Sequence, residues 1–189
     1  MTDAPSHRYV SRGGDKLEAA LQHFAVDVTG LICADLGSHV GGFIDCLLHR
    51  GAARIYSVDT AYGILAWKLR KDPRVTVLER SNAMHVALPE PVEIVTVDLG
   101  WTPQSKILPN VARLITAGAK VISLIKPHYE ASENMLVQGV LPEEQVDGVV
   151  EGVLDTVRSL GWIVRGVFPS PLRGHGGNRE VFALLTTGE

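Results

Sequence analysis

The segment Ala34-Asp35-Leu36-Gly37-Ser38-His39-Val40-Gly41-Gly42-Phe43 carries an apolar run through a glycine-rich turn into a stretch of helical spacing, and the next apolar run closes on Val58-Asp59. A strand, a tight turn, a helix and a second strand in that order form a crossover unit, which pairs its strands in parallel and lays the helix over the sheet. The alternation continues. Apolar runs rich in Val, Ile and Leu at 31–36, 53–59, 75–78, 92–98 and 120–126 predict strands. Between them 42–50, 62–69 and 104–117 have helical periodicity, with Pro103 at a helix start and Gly118 just past a helix end. A short helix at 15–21, with apolar positions at Leu17, Ala20, Leu21 and Phe24, leads into the sheet behind Ser11-Arg12-Gly13-Gly14. Downstream, 142–160 predicts a long amphipathic helix, followed by strands at 162–168 and 180–185 joined through 169–178. The chain therefore reads as an α/β, Rossmann-like fold, a mostly parallel seven-stranded sheet with helices on both faces and a C-terminal antiparallel hairpin.

The turn's spacing selects among nucleoside cofactors. A dinucleotide site uses Gly-x-Gly-x-x-Gly so that a pyrophosphate rests on the helix N-terminus. Here the second glycine of that pattern is His39, and the acid Asp35 stands just before the turn. A carboxylate at that point repels a pyrophosphate and suits a cation. S-adenosylmethionine carries both an ammonium and a sulfonium, so Asp-x-Gly-x-x-x-Gly-Gly reads as its pocket, with Asp59 accepting hydrogen bonds from the ribose diol. The alternative is an ordinary strand-to-helix loop whose glycines only cap. A closing antiparallel hairpin on a parallel sheet fits a methyltransferase fold.

Composition narrows the rest. At 189 residues and 46% apolar content, the chain has material for one sizeable core, so a single domain over 1–189 is expected, with 1–8 as a flexible N-terminus. A net charge of −3 argues against a surface that grips nucleic acid over its whole extent, and leaves room only for a local patch. No apolar run is long enough to span a bilayer and no signal-peptide pattern opens the chain, so a cytoplasmic protein away from membranes is expected. Cys33 and Cys46 lack metal or redox spacing, and the seven histidines never fall at ligand spacing with a carboxylate, so no metal is expected.

Four polar residues fall where ligands bind in an open α/β sheet: Lys16 in the leading helix, Asp98 and Lys126 at strand ends, and Glu180 opening the last strand. A lysine after Val121-Ile122-Ser123-Leu124-Ile125 is costly unless paired. On these residues alone, a salt-bridge network that locks the sheet edge and a catalytic cluster stay equally open.

The residues also carry a resemblance. Tyr9-Val10-Ser11-Arg12-Gly13-Gly14-Asp15-Lys16-Leu17-Glu18, Gly41-Gly42-Phe43-Ile44-Asp45-Cys46-Leu47-Leu48, Asp72-Pro73-Arg74-Val75, Leu124-Ile125-Lys126-Pro127-His128-Tyr129-Glu130 and Gly177-Asn178-Arg179-Glu180 resemble, in collinear order over nearly the whole chain, the TlyA (haemolysin A) branch of the FtsJ-like methyltransferases. That resemblance implies S-adenosylmethionine-dependent methylation of RNA ribose 2′-hydroxyls, with a Lys-Asp-Lys-Glu tetrad at Lys16, Asp98, Lys126 and Glu180. It likewise implies a cofactor held by Asp35, Gly37, Ser38, His39, Gly41, Gly42 and Phe43, by Asp59 at the ribose, by Asn82 and Ala83 near the adenine, and bordered by Asp98. Lys126 is the expected base, Asp98 and Glu180 orient the two lysines, and Lys16 holds the ribose oxygens.

Two departures concern the acceptor. Members of the branch carry a small RNA-binding domain ahead of the catalytic one, and none is expected here. Where the branch reads Asp-Val-Ser-Phe-Ile-Ser-Leu and Lys-Pro-Gln-Phe-Glu, this chain has Asp98-Leu99-Gly100-Trp101-Thr102-Pro103 and Lys126-Pro127-His128-Tyr129-Glu130. Trp101 and Tyr129 therefore become candidates for stacking on a base, His128 for a polar-edged ring at the substrate, and Arg8, Arg12, Arg173 and Arg179 for a local basic mouth that meets RNA. An O-methyltransferase of a nucleoside-like small molecule is the alternative, and a non-catalytic cofactor-binding module the third reading.

Overall fold

The structure, a computed structural model, describes residues 8–188. Seven strands form one sheet in the order β3-β2-β1-β4-β5-β7-β6. The first five, β1 (Ile32–Leu36), β2 (Arg54–Val58), β3 (Val75–Leu78), β4 (Val92–Val97) and β5 (Ile115–Ile125), run parallel. The last two, β6 (Trp162–Pro169) and β7 (Val181–Thr187), form the antiparallel hairpin, and β7 inserts between β5 and β6. This is the expected fold class. Of the expected flexible N-terminus, residues 1–7 lie outside the described residues.

Alternation along the strands divides the core by face. Ala34, Leu36, Val95 and Val97 pack with Ile107, Leu108 and Val111 of α4 (Gln104–Leu114) and with Val153 and Val157 of α6 (Glu143–Ser159). Cys33, Ile55 and Ile94 pack on the other side with Leu17 and Leu21 of α1 (Arg12–His23) and Leu47 of α2 (Gly42–His49). Leu17 and Leu21 are fully buried, each contributing about 1.5–3 kcal/mol. On this second face, period two also places Asp35, Ser57 and Thr96, three buried polar side chains below the C-terminal edge of the sheet.

Two elements differ from expectation. The helix expected at 62–69 is reduced to α3 (Trp67–Arg70), because the backbone of the preceding turn is claimed by tertiary partners. Gly63 N–H donates to the Glu79 carboxylate at 2.7 Å and Ala66 N–H to Val40 O at 3.1 Å. The helix expected at 104–117 stops at Leu114, and β5 starts at once with Ile115 opposite Val92. β-branched Ile115 and Thr116 favour the strand. Gly118, expected beyond a helix end, instead adopts φ +76° inside β5, where the β4–β5 register shifts.

Candidate active site

All four candidate residues lie at the C-terminal edge of the sheet, and register explains why. Asp98 and Lys126 directly follow the parallel strands β4 and β5, and Ile125 pairs with Val181, which sets Glu180 beside Lys126. Lys126 Nζ stands 2.6 Å from Asp98 Oδ1, an ion-pair contact without hydrogen-bond alignment. Lys16, in the first turns of α1, donates to Glu180 Oε2 at 2.5 Å, and both members of that pair are buried. α1 is held at this angle by Ser11, whose hydroxyl accepts from Gly13 N–H at 3.3 Å. Gly174 completes the Lys16–Glu180 arrangement. A Cβ there would stand 2.1 Å from Glu180 Oε1, so only glycine lets the loop backbone lie against the carboxylate.

Two cavities meet at Asp98. The larger, about 640 Å³, is walled by Gly37, Asp59, Asn82, Ala83 and Leu99, and reaches Asp98 and Lys126. That volume suits a nucleoside-sized ligand. The smaller, about 230 Å³, lies between α1 and the turn after β1, with Arg12, Lys16, Asp35, Ser38, Gly42 and Phe43 on its walls. His39 lines both, held at φ +50° while its N–H donates to Asp59 Oδ2 at 2.7 Å. Asp59 Oδ1 accepts from Ala61 N–H, so the carboxylate is fixed at the cavity wall before any ligand arrives.

Asp35 is fully buried. Its Oδ1 accepts from Thr96 Oγ1 at 2.7 Å, while Oδ2 has no partner. Burial pushes its carboxyl up to about 7, opposed by the Thr96 hydrogen bond and reinforced by Asp98 and Asp59. A buried carboxylate oxygen without a partner beside a cavity is suited to an ammonium, which restores its charge. The site thus fits S-adenosylmethionine: a wide compartment that sets Asp59 and Asn82 beside the apolar Ala83 and Leu99 for a nucleoside, and a narrow one with an acid for an amino-acid tail.

Some candidates serve packing, Gly41 by that alone and Gly42, Ser38 and Phe43 besides lining the smaller cavity. Gly41 adopts φ +100°, and a Cβ there would strike Leu69 at 2.3 Å; a Cβ on Gly42 would strike Ser11 Oγ at 2.2 Å. These glycines let α1, α2 and α3 close together, and Gly41 lines neither cavity. Ser38 spends its hydroxyl on Val58 O and on Ser57, and Phe43 belongs to the core beside Phe182. The expected basic mouth does not assemble. Arg12 alone reaches a cavity; Arg8 turns to Glu18 and the Tyr9 ring, while Arg173 and Arg179 are captured by Glu143, with Asp147 also on Arg179. Trp101 is 79% exposed at φ +59° and stacks on Tyr129 with ring centres 4.3 Å apart, at the rim formed by Gly100 and Thr102. His128 is buried, lines neither cavity and is pushed down by burial and by Lys126.

Thr96 and Gly174 are the contributors that the sequence did not announce. Thr96 sits inside an apolar strand, and its role appears only once β1 and β4 are in register, Asp35 beside Thr96.

Residues 9–187 match the FtsJ-like methyltransferase family over almost the whole chain. The chain belongs to that family. As an FtsJ-like protein it is an S-adenosylmethionine-dependent methyltransferase. It is 40% identical over 192 residues to the 16S/23S rRNA (cytidine-2′-O)-methyltransferase TlyA of Mycobacterium tuberculosis, covering 99% of this chain and 71% of that protein. Among solved structures, a putative hemolysin from Streptococcus thermophilus superposes with TM-score 0.94 at 34% identity, over 98% of this chain and 70% of that one. A putative hemolysin from Lactococcus lactis gives TM-score 0.92 at 35% identity, over 96% and 89%. A putative S-adenosylmethionine-dependent methyltransferase from Listeria monocytogenes, at TM-score 0.68 and 14% identity, shares the fold. Among the described residues, no helix is long and apolar enough to cross a membrane.

Proposed function

We infer that this FtsJ-like protein methylates a ribose 2′-hydroxyl of ribosomal RNA, with Lys16, Asp98, Lys126 and Glu180 as its reacting and positioning groups. The observation that carries the reading is the pairing Lys126–Asp98 and Lys16–Glu180 where the two cavities meet. The name of the M. tuberculosis relative supports the acceptor class. Such an acceptor is met in the cytoplasm.

S-adenosylmethionine, when bound, supplies an electrophilic methyl group for in-line displacement. Asp59, Asn82, Ala83 and Leu99 would hold its nucleoside part, and Asp35 its ammonium. The chain's own groups do the rest. Lys126, as the neutral amine, takes the proton from the ribose hydroxyl as the oxygen attacks. Asp98, 2.6 Å away, receives the ammonium so formed and keeps the nitrogen aimed at the acceptor. Lys16, steadied by Glu180, holds ribose and phosphate oxygens, and its buried position makes each of those bonds stronger than in water. Trp101 and Tyr129 offer ring surface to the base at the rim.

The test is transfer of labelled methyl to purified ribosomal subunits, to free ribosomal RNA and to cytidine, with nucleoside digestion of the product. A 2′-O-methylated nucleoside from the ribosomal acceptors is the expected result. Turnover of cytidine alone would move the assignment to a small-molecule enzyme.

A further inference from the structure

We propose that the outer turn between β2 and β3 is a second RNA contact, a ladder of cation-capped rings that takes the strand flanking the methylated nucleotide. This rests on the RNA acceptor inferred above. Tyr62 and Trp67 are among the most exposed large side chains, at 67% and 66%. Each ring carries a cation on its face: the Arg80 guanidinium lies 4.4 Å from the Tyr62 ring centre and Lys71 Nζ 4.8 Å from that of Trp67.

The neighbouring basic residues behave differently. Lys68 is held by Asp45, Arg70 by Glu79 and Arg74 by Asp72. Among the described residues, Lys71 and Arg80 make no such ion pair; Arg80 acts on Glu79 only at longer range, and Arg70 already holds that carboxylate. Their charge is parked on rings. A nucleotide strand uses both halves of such a pair, since a base can take the ring face while the displaced cation moves to a phosphate.

Location supports the same partner. Ser81 N–H donates to Asp59 O at 2.9 Å and Arg80 N–H to Ala61 O at 3.3 Å, which ties the ring-bearing turn to the segment lining the larger cavity. Arg80 holds φ +54°, a left-handed conformation disfavoured for its side chain, so its direction is set by the turn and not by preference. The patch begins at the β2–β3 rim, while Trp101 and Lys126 stand beyond β4 and β5. Four strand spacings separate β3 from β5, about 19 Å, a span that several nucleotides can bridge.

The full chain is tested as Tyr62→Ala, Trp67→Ala and the pair Lys71→Gln with Arg80→Gln. Each is assayed for KM and kcat on ribosomal RNA, for cofactor affinity by calorimetry, and for direct binding of a fluorescent RNA by anisotropy. Each ring variant should weaken RNA binding and raise KM about tenfold, with kcat and cofactor affinity unchanged. The double charge variant should flatten the slope of log affinity against log salt by about 0.7 per lost phosphate contact. RNA affinity and salt slope identical to wild type in all variants would overturn the surface. If wild type binds RNA and the variants weaken it, yet no RNA is methylated, the surface stands and the inferred acceptor falls. If wild type binds no RNA, both fall.

Discussion

Gly174→Ala tests the site through a residue that touches no ligand. The added Cβ would stand 2.1 Å from Glu180 Oε1, and the pair returns to ordinary contact near 3.4 Å only if the carboxylate retreats. That is a displacement of about 1.3 Å for a group bonded to Lys16 at 2.5 Å. Gly174 itself has φ −73°, which alanine accepts, so the perturbation is steric and confined to the carboxylate. Misplacing a positioning group by about 1 Å costs on the order of 10²-fold in rate. Weakening the buried Lys16 pair costs about 1–3 kcal/mol of stability. Single-turnover methyl transfer and calorimetric cofactor titration separate the effects: the rate should fall about 10²-fold while cofactor affinity holds. Glu180→Asp withdraws the carboxylate by one methylene, about 1.5 Å. It should be harmful in the wild-type background and neutral or restorative beside Gly174→Ala. Equal losses from Glu180→Asp in both backgrounds would refute the steric argument, and an unimpaired Gly174→Ala would refute the role of Glu180.

Removing the proposed base by Lys126→Ala should cut transfer 10²- to 10⁴-fold with cofactor affinity kept, and Lys126→Arg should be as inactive because a guanidinium stays protonated; an active arginine variant would leave Lys126 only a positioning cation. The Asp35 carboxyl, raised to about 7 against about 3.9 unfolded, binds more protons in the folded than in the unfolded state between those values. Stability of the ligand-free protein should therefore fall as pH rises from about 4 to 7, by up to about 4 kcal/mol, and denaturant titrations across that window should find the fall missing in Asp35→Asn. Thr96→Val removes the Thr96 hydrogen bond to the Asp35 carboxylate and should raise that carboxyl further, moving the pH at which cofactor affinity is half-maximal upward; an unchanged pH profile would separate Asp35 from cofactor binding.

The sheet was legible because each strand keeps its own chemistry. Cys33, Ala34 and Leu36, or Ile94, Val95 and Val97, are buried on both faces, and an uninterrupted apolar run is what such a strand requires. Residues 62–69 failed for the opposite reason. Their helical spacing is real, but the energy of a four-residue turn is small beside the tertiary bonds that Glu79 and Val40 make to Gly63 and Ala66. Ile115 shows the same competition at a boundary, where pairing with Val92 ends α4 three residues before its periodicity does.

The candidate site's geometry was legible where it depends on position along the chain and hidden where it depends on partners across it. Lys126 and Asp98 announce themselves, since a charge after an apolar strand has few places to go. Thr96 and Gly174 do not, because their meaning lies in Asp35 and Glu180, 61 and 6 residues away in sequence. The arginines expose the limit most clearly. Counted by type, Arg173 and Arg179 look like phosphate ligands, yet Glu143 holds both at 3.4 and 3.0 Å, through side chains that are 59% and 26% exposed. Exposed pairs of this kind are worth about 0–1 kcal/mol, and a phosphate offers an arginine a charge-assisted bond at least as good. Their capture therefore removes them from the resting mouth at a cost that an arriving RNA can reverse. Lys71 and Arg80 rest on rings through contacts worth about 0.5–1 kcal/mol at exposed sites, a comparable cost, so on the proposed β2–β3 surface an arriving strand can release them as readily as it releases the two arginines.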